Sequence, residues 1–427
     1  MEIHELYQLF LQSAGVTTDS RKIQKGQIYF ALKGGNFNGN SFATAAIEHG
    51  ASYSVLDEPE FDVHDKCILV KDVLNTLQLL GNYHLRHVNP KAVIAITGSN
   101  GKTTTKELVH AVLNTTFMTH YTKGNLNNHI GIPLTLLEMQ ADSEIAVIEM
   151  GANHQKEIES YCKYVEPTHG IITNCGKAHL EGFGGVEGIR KGKGELYDYL
   201  KQHNGWVFVN GDDEILENML QERNMNDFIS YGNNPHNKYN SAILKDNPFL
   251  KIQFEDIEIN SNLFGSYNYS NIMCAIATGK YFGVSNEHIK KAIEQYNPTN
   301  ARSQVIEKDG YRFILDAYNA NPTSMQHALE SFAKSSSKKK IVILGDMFEL
   351  GEEAPKEHQF IAGLCEHLHF DTIVLVGHEF SKTKNTEKVL KFPSVAETKE
   401  WFQQQDFNGA EILLKGSRSM KMEKVLD

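Results

Sequence analysis

Between Ile96 and Leu108 the chain reads ITGSNGKTTTKEL, an apolar run that stops at Gly98 and passes through a second glycine and a lysine into a helical pattern. A strand that hands a glycine-framed loop to a helix admits few folds, because the helix must return over a sheet whose next strand runs parallel. The alternation continues in "EIAVIEMG" and "GIITNCG", glycine-bounded apolar strands with helical text between them, which predicts a parallel sheet covered by helices on both faces. It begins again in "RFILDAY", "KKIVILGDM", "DTIVLVGH" and "AEILLKGS". Each of these strands stops at a polar, glycine-bearing loop, and ligands of open α/β sheets bind outside the carboxyl ends of the strands.

Ahead of this text, "QIYFALKG" and "KCILVK" read as strands and "SFATAAIEHGA" as an amphipathic helix, giving a small α/β unit. "RHVNPKA", with Pro90, interrupts the pattern, as do Asn297, Pro298 and Asn300 in "QYNPTNARS". The expected divisions are therefore residues 1–88, 89–298 and 299–427, in keeping with about three domains for a chain of 427 residues. "KSSSKKK" reads as a solvated loop before a strand.

A net charge of −11 with no long basic block argues against a nucleic-acid surface. No apolar run approaches the roughly 20 residues of a membrane span, so no stable membrane insertion is expected. "MEIHELYQLFLQSAG" carries Glu2 and Glu5 where a signal peptide would be basic, and its helical spacing predicts a folded helix. Cys67, Cys162, Cys175, Cys274 and Cys365 are scattered and never form CxxC. They read as free thiols of a reducing cytoplasm.

Gly98, Ser99, Asn100, Gly101, Lys102 and Thr103 form G-x-x-G-K-T, two residues shorter between the glycines than the usual phosphate loop. The physics survives the shortening. Glycines let backbone N–H groups converge on oxygens, the helix that runs on through Thr104 points its positive end at the anion, Lys102 adds a mobile charge, and the Thr103 hydroxyl can ligate Mg²⁺. Strand before and helix after predict nucleoside triphosphate binding, although the loop alone does not separate a kinase, a GTPase-like switch and a ligase. Glu149 ends the strand in "AVIEMGANHQKEIE", where a carboxylate can hold the Mg²⁺ that bridges phosphates. "NCGKAHLEGFGGVEGIRKGKGELY" then places His179 after a strand and Arg190, Lys191 and Lys193 at the expected start of a helix, where cations oppose the macrodipole unless an anion or a modification offsets them.

Taken together, "TDSRKIQKGQIYFALKGGNFNGNSF", "GSNGKTTTKE", "GNLNNHIGIPLTLL", "EMGANHQKEI", "AHLEGFGGVEGIRKGKGELY", "DAYNANPTSM", "ILGDMFELGEE" and "LKGSRSMKMEKV" resemble the Mur ligases of bacterial cell-wall synthesis, and among them the branch that adds D-alanyl-D-alanine. The resemblance implies an α/β chain of three domains: a small N-terminal one for the UDP-linked substrate, a central P-loop ATPase, and a Rossmann-like C-terminal one that closes over ATP. It implies that a carboxylate of UDP-MurNAc-tripeptide attacks the γ-phosphate of ATP, and that the amine of D-Ala-D-Ala displaces phosphate from the resulting acyl phosphate. A cytoplasmic monomer is expected. A sister ligase adding the third peptide residue, or a folylpolyglutamate-type enzyme on the same scaffold, is the nearest alternative. "DAYNANPTSM" and "EMGANHQKEI" favour the dipeptide-adding branch.

Residue by residue, the resemblance gives Glu149 and Thr103 one Mg²⁺ and gives His179 a share in a second. Lys193, just before "GEL", matches a lysine that is carbamylated in the family, which would turn a cation into an anionic oxygen ligand. Asn271 matches a position near the adenine, with Tyr267 where relatives commonly carry His. Asp316 is placed for ribose hydroxyls, Arg302 for the phosphates, and Asn319 and Asn321 lie in the adjacent turn. Ser20, Arg21, Lys33 and Gly34 fall where the uridine diphosphate is held, with Asn40 replacing a commoner histidine. Asn125, Asn127 and Asn128 face the muramyl peptide or the acyl phosphate, and Lys415, Gly416, Ser417 and Arg418 are candidates for the dipeptide side.

Overall fold

The computed structural model describes residues 1–246, 249–299, 301–308 and 310–427, so Asn300 lies outside the described residues. The first unit is a parallel sheet in the order Val16–Thr17, Ile28–Phe30, Tyr53–Leu56, Cys67–Leu69. The strand expected in "QIYFALKG" stops at Phe30; Lys33–Gly34 instead pairs antiparallel with Phe37–Asn38 in a separate hairpin. Ile3–Leu11 forms the expected N-terminal helix and buries Leu6, Tyr7 and Phe10. Val73–Val88 packs Leu77 and Leu80 into the same core, and at Gly81 it meets Pro133 so closely that a Cβ would sit 3.2 Å from the proline Cα.

The central sheet has seven strands, all parallel, in the order Tyr239–Asn240, Phe228–Gly232, Trp206–Asn210, His169–Ile172, Ala92–Thr97, Ile145–Glu149, Thr119–Tyr121. Its inner strands are buried on both faces, which is why they read as unbroken apolar runs. Beside it, Ala242–Lys245, Phe249–Phe254 and Ile257–Phe264 form an antiparallel sheet. Phe249–Phe254 alternates half-buried and buried residues, a period-2 pattern distinct from the parallel strands.

The last sheet runs Gln304–Lys308, Tyr311–Asp316, Glu411–Lys415, Lys340–Gly345, Thr372–Val376, Val389–Phe392 and is parallel except for its first strand. Helix Pro322–Ala333 brings Met325, Leu329 and Phe332 into one apolar cluster with Phe264 of the preceding unit. That contact sets the carboxyl ends of the two parallel sheets across a common cleft. Helix Val186–Gln202 begins earlier than the sequence suggested, so Arg190, Lys191 and Lys193 sit beyond its first turn, and the macrodipole is not what burdens Lys193.

Candidate active site

The strand register assembles the site. Ile96 pairs with Glu149 and Thr97 with Ile172, which puts the end of each neighbouring strand beside the Gly98–Thr103 loop. Gly98 has φ +140° and a Cβ there would lie 2.0 Å from Thr173 Oγ1; Gly101 has φ +78° and a Cβ would lie 2.6 Å from Asn271 Oδ1. No other residue type fits either position. The loop is held from behind: Asn100 N–H donates to Asn174 Oδ1 (3.1 Å), while Thr173 Oγ1 (2.6 Å) and Asn174 Nδ2 (3.0 Å) donate to the Asn100 carbonyl. Ser99 Oγ donates to the Gly176 carbonyl at 2.7 Å.

Helix Lys102–Leu113 starts at the loop, so its first N–H groups and its positive end face the cleft. Half-buried Lys102 folds its Nζ onto the carbonyls of Gly98 (2.6 Å) and Ser99 (3.2 Å). Burial pulls this ammonium down to about 8, against the opposing influence of Glu149. Thr103 Oγ1 donates to Glu149 Oε2 (3.0 Å) and Oε1 (3.1 Å), and Asn127 Nδ2 donates to Oε1 at 2.8 Å.

These groups open into a cavity of about 890 Å³. Ser99, Asn100, Gly101, Lys102, Thr103, Thr104, Asn125, Asn127, Asn128, Glu149, His179, Asn271, Arg302, Asp316, Asn319 and Asn321 all line it, as do Lys415 and Tyr267. The placements refine several expectations. Asn128 Oδ1 accepts from the N–H groups of Ile130 and Gly131, so it works as a turn and helix-start residue. Asn271 is satisfied internally, accepting from Thr105 Oγ1 (3.0 Å) and donating to Asn268 Oδ1 (2.9 Å). Asp316 and Lys415 are register partners and pair at 2.5 Å, with Ser303 N–H on the other carboxylate oxygen at 3.1 Å. Lys415 is thereby tied to the end of strand Tyr311–Asp316, while Ser417 receives Phe348 N–H within the C-terminal unit and Arg418 is exposed. The Arg302 guanidinium lies 3.6 Å from the centre of the Tyr318 ring.

Lys193 lies just behind the cavity wall. It is 1% exposed, its Nζ donates to the Ala152 carbonyl at 3.3 Å, and it sits 4.9 Å from the Phe183 ring. Burial, and then the nearby charge of Lys102, pulls it down to about 7. The amine is therefore available in its neutral form near neutral pH.

The C-terminal unit reaches the central one through a short series of contacts. Asn321 caps helix Pro322–Ala333 and donates through Nδ2 to Asn100 Oδ1 at 2.7 Å. Lys177 pairs with Glu357 at 2.6 Å, and His179 Nδ1 lies 2.5 Å from Glu349 Oε2. That histidine holds Glu349 below the usual carboxylate range. Asn174, Lys177, Glu349 and Glu357 went unread in the sequence; the polar end of "GIITNCG" and the residue that follows it were the only signal for the first two.

Ser20, Arg21, Lys33 and Gly34 do not line this cavity. Arg21 is exposed and paired with Asp19 at 2.8 Å, and Lys33 reaches Asp57 (3.0 Å) and Glu58 (3.4 Å). Asn40 is buried and exchanges hydrogen bonds with Asp57, donating to Oδ1 at 3.0 Å and accepting from its N–H at 2.9 Å. Its side chain thus ties the hairpin region to the next strand end.

Three family models match the chain: "Mur ligase family, catalytic domain" over residues 12–82, "Mur ligase middle domain" over 96–279, and "Mur ligase, glutamate ligase domain" over 301–418. The UDP-N-acetylmuramoyl-tripeptide--D-alanyl-D-alanine ligase of Bacillus subtilis (strain 168) is 34% identical over 426 residues, covering 96% of this chain and 92% of that protein. The chain belongs to the Mur ligase family. This Mur ligase is also similar in fold to MurF from Acinetobacter baumannii, with a TM-score of 0.89 at 31% identity over 99% of this chain and 97% of that one. MurF from Thermotoga maritima in complex with ADP matches it with a TM-score of 0.85 at 25% identity, over 97% of each chain. Among the described residues no helix is long and apolar enough to cross a membrane, and the five cysteines are free thiols.

Proposed function

We propose that this Mur ligase joins D-alanyl-D-alanine to UDP-N-acetylmuramoyl-tripeptide, converting ATP to ADP and phosphate. What carries the reading is a phosphate loop, an acidic strand end and an interdomain cleft sharing one cavity, in a chain that matches ligases of that name along 96% of its length. Residues 1–88, 89–298 and 299–427 serve in turn as UDP-substrate, ATP-binding and closing domains. Ser20, Arg21, Lys33 and Gly34 take the uridine nucleotide on the first of these. The enzyme works as a monomer in the cytoplasm.

The chemistry requires two anions to meet. The tripeptide carboxylate attacks the γ-phosphorus and the β–γ bridging oxygen leaves with ADP; the dipeptide amine then attacks the acyl carbon and phosphate leaves. The loop N–H groups and Lys102 hold the triphosphate, and Asn125 and Asn127 orient the acyl side. Arg302 faces the phosphates, Asp316 the ribose, and Asn271 the base end; Asn321 seats the C-terminal unit on the loop, and Asn319 lies in the same turn. The hydroxyl of Thr103 and the carboxylate of Glu149 are hard oxygen donors already within 3.1 Å of each other, a pairing that fits Mg²⁺. Among the described residues no three His, Cys, Asp or Glu side chains cluster as metal ligands; Mg²⁺ held by one or two protein oxygens would take its other ligands from phosphate and water. When bound, Mg²⁺ supplies positive charge between the two anions. His179 and Lys193, the latter as a carbamate formed from its neutral amine and CO₂ with loss of a proton, would hold a second ion.

A coupled ADP assay with UDP-MurNAc-tripeptide and a panel of amines tests the reading. D-Ala-D-Ala is expected to support ADP release at least about 10²-fold better than lysine, diaminopimelate or glutamate. Tight ATP binding with no substrate-dependent ADP would contradict it.

A further inference from the structure

Helix Lys102–Leu113 carries a second lysine on the face that presents Lys102 and Thr103, one turn further along. Lys106 is fully buried, at 0% exposure. Its Nζ has no hydrogen-bond partner among the described residues. The nearest anionic atom is Glu149 Oε2 at 3.6 Å, followed by Glu107 Oε1 at 3.9 Å, and the Tyr121 ring lies 5.6 Å away. An enclosed cation without acceptors is costly to keep, and methionine or leucine would fill the same space without that cost.

What Lys106 touches is the carboxylate read above as a metal ligand. With Thr103 and Asn127 donating to it, Glu149 is already hydrogen-bonded and has a full positive charge beside it. A divalent cation approaching Glu149 alone meets that charge at close range beside two buried side chains, where like charges repel more than in solution. Polyphosphate brings the negative charge that reverses the balance.

We propose that Lys106 is a positioning residue that makes metal entry depend on the nucleotide: it holds Glu149 aimed into the cleft and opposes a free divalent cation there, so that metal and polyphosphate bind together. The inference rests on the reading of Glu149 as a metal ligand, and the experiment separates the two.

Mn²⁺ binding to the full chain is followed by electron paramagnetic resonance, with and without ADP. The near-isosteric Lys106→Met and the hydrogen-bonding Lys106→Gln are both measured, so a folding defect in one leaves the other. Without nucleotide, each is expected to bind Mn²⁺ at least about tenfold more tightly than the unaltered chain, with a smaller gain when ADP is present, because the phosphates then offset the lysine. Adding Glu149→Gln should remove that gain. Equal or weaker Mn²⁺ binding in both variants would overturn the inference while leaving Glu149 as a ligand. Mn²⁺·ADP binding unaffected by Glu149→Gln would overturn the reading of Glu149 and the inference with it.

Discussion

Lys102→Ala is expected to lower ATP-dependent ligation by at least about 10³-fold while the melting temperature holds or rises. The loss follows from geometry. Lys102 is the one cation of the Gly98–Thr103 loop, and its ammonium rests on the Gly98 and Ser99 carbonyls, within reach of the space the phosphates would take. Backbone N–H groups and the helix end remain in the variant, so nucleotide binding should weaken less than turnover, because the lysine charge matters most where negative charge spreads over the transferring phosphoryl group. The stability expectation has a separate origin. A lysine drawn down from 10.5 to about 8 binds its proton less readily in the folded chain than in the unfolded one. Below pH 8 the folded protein therefore carries an unfavourable charge that alanine removes, and stability should be level or higher at neutral pH. ADP release and acyl-phosphate trapping, read beside a thermal melt, check both parts. A folded variant that kept its activity would refute the role.

Lys193→Ala should cost at least about 10²-fold in turnover, and a short carboxylic acid such as acetate or formate should restore part of it. The side chain is enclosed between Ala152 and Phe183, so its removal leaves a space of the shape the missing group occupied. A small carboxylate can enter that space and present an oxygen where the carbamate would. An amine of equal size should not rescue, because it supplies no anionic oxygen. Loss of activity without rescue by any carboxylate would remove the carbamate and leave Lys193 as a buried lysine that supports Ala152 beside Gly151.

The parallel sheets were legible in the sequence because buried strands of that kind are apolar on both faces and most of them ended near a glycine. The loop and Glu149 were legible for the same reason: strand ends mark where ligands sit. The three-stranded antiparallel sheet between Ala242 and Phe264 was not read, since its half-exposed alternation is a weaker local signal than an unbroken apolar run. Lys106 was invisible for a different reason. In "KTTTKEL" it looks like one more solvent-facing helical charge, and only the strand Ile145–Glu149 lying against that helix shows that it is enclosed. Asn321 and Asn100 are 221 residues apart, so no local pattern joins them, and sequence could not tell that Asn128 accepts from the N–H groups of Ile130 and Gly131 where the next helix begins. The discomfort assigned to Lys193 was real, but burial causes it and not the helix dipole.

A crystal structure of the chain with a non-hydrolysable ATP analogue and Mn²⁺, with the metal located by anomalous scattering, tests the arrangement most directly. Manganese is expected bonded to Thr103 Oγ1 and a Glu149 oxygen, with the terminal phosphate beside Lys102 and His179 facing the same phosphate. A terminal phosphate seated away from Glu149 and His179, with no manganese peak between them, would contradict the ligase reading of this cleft.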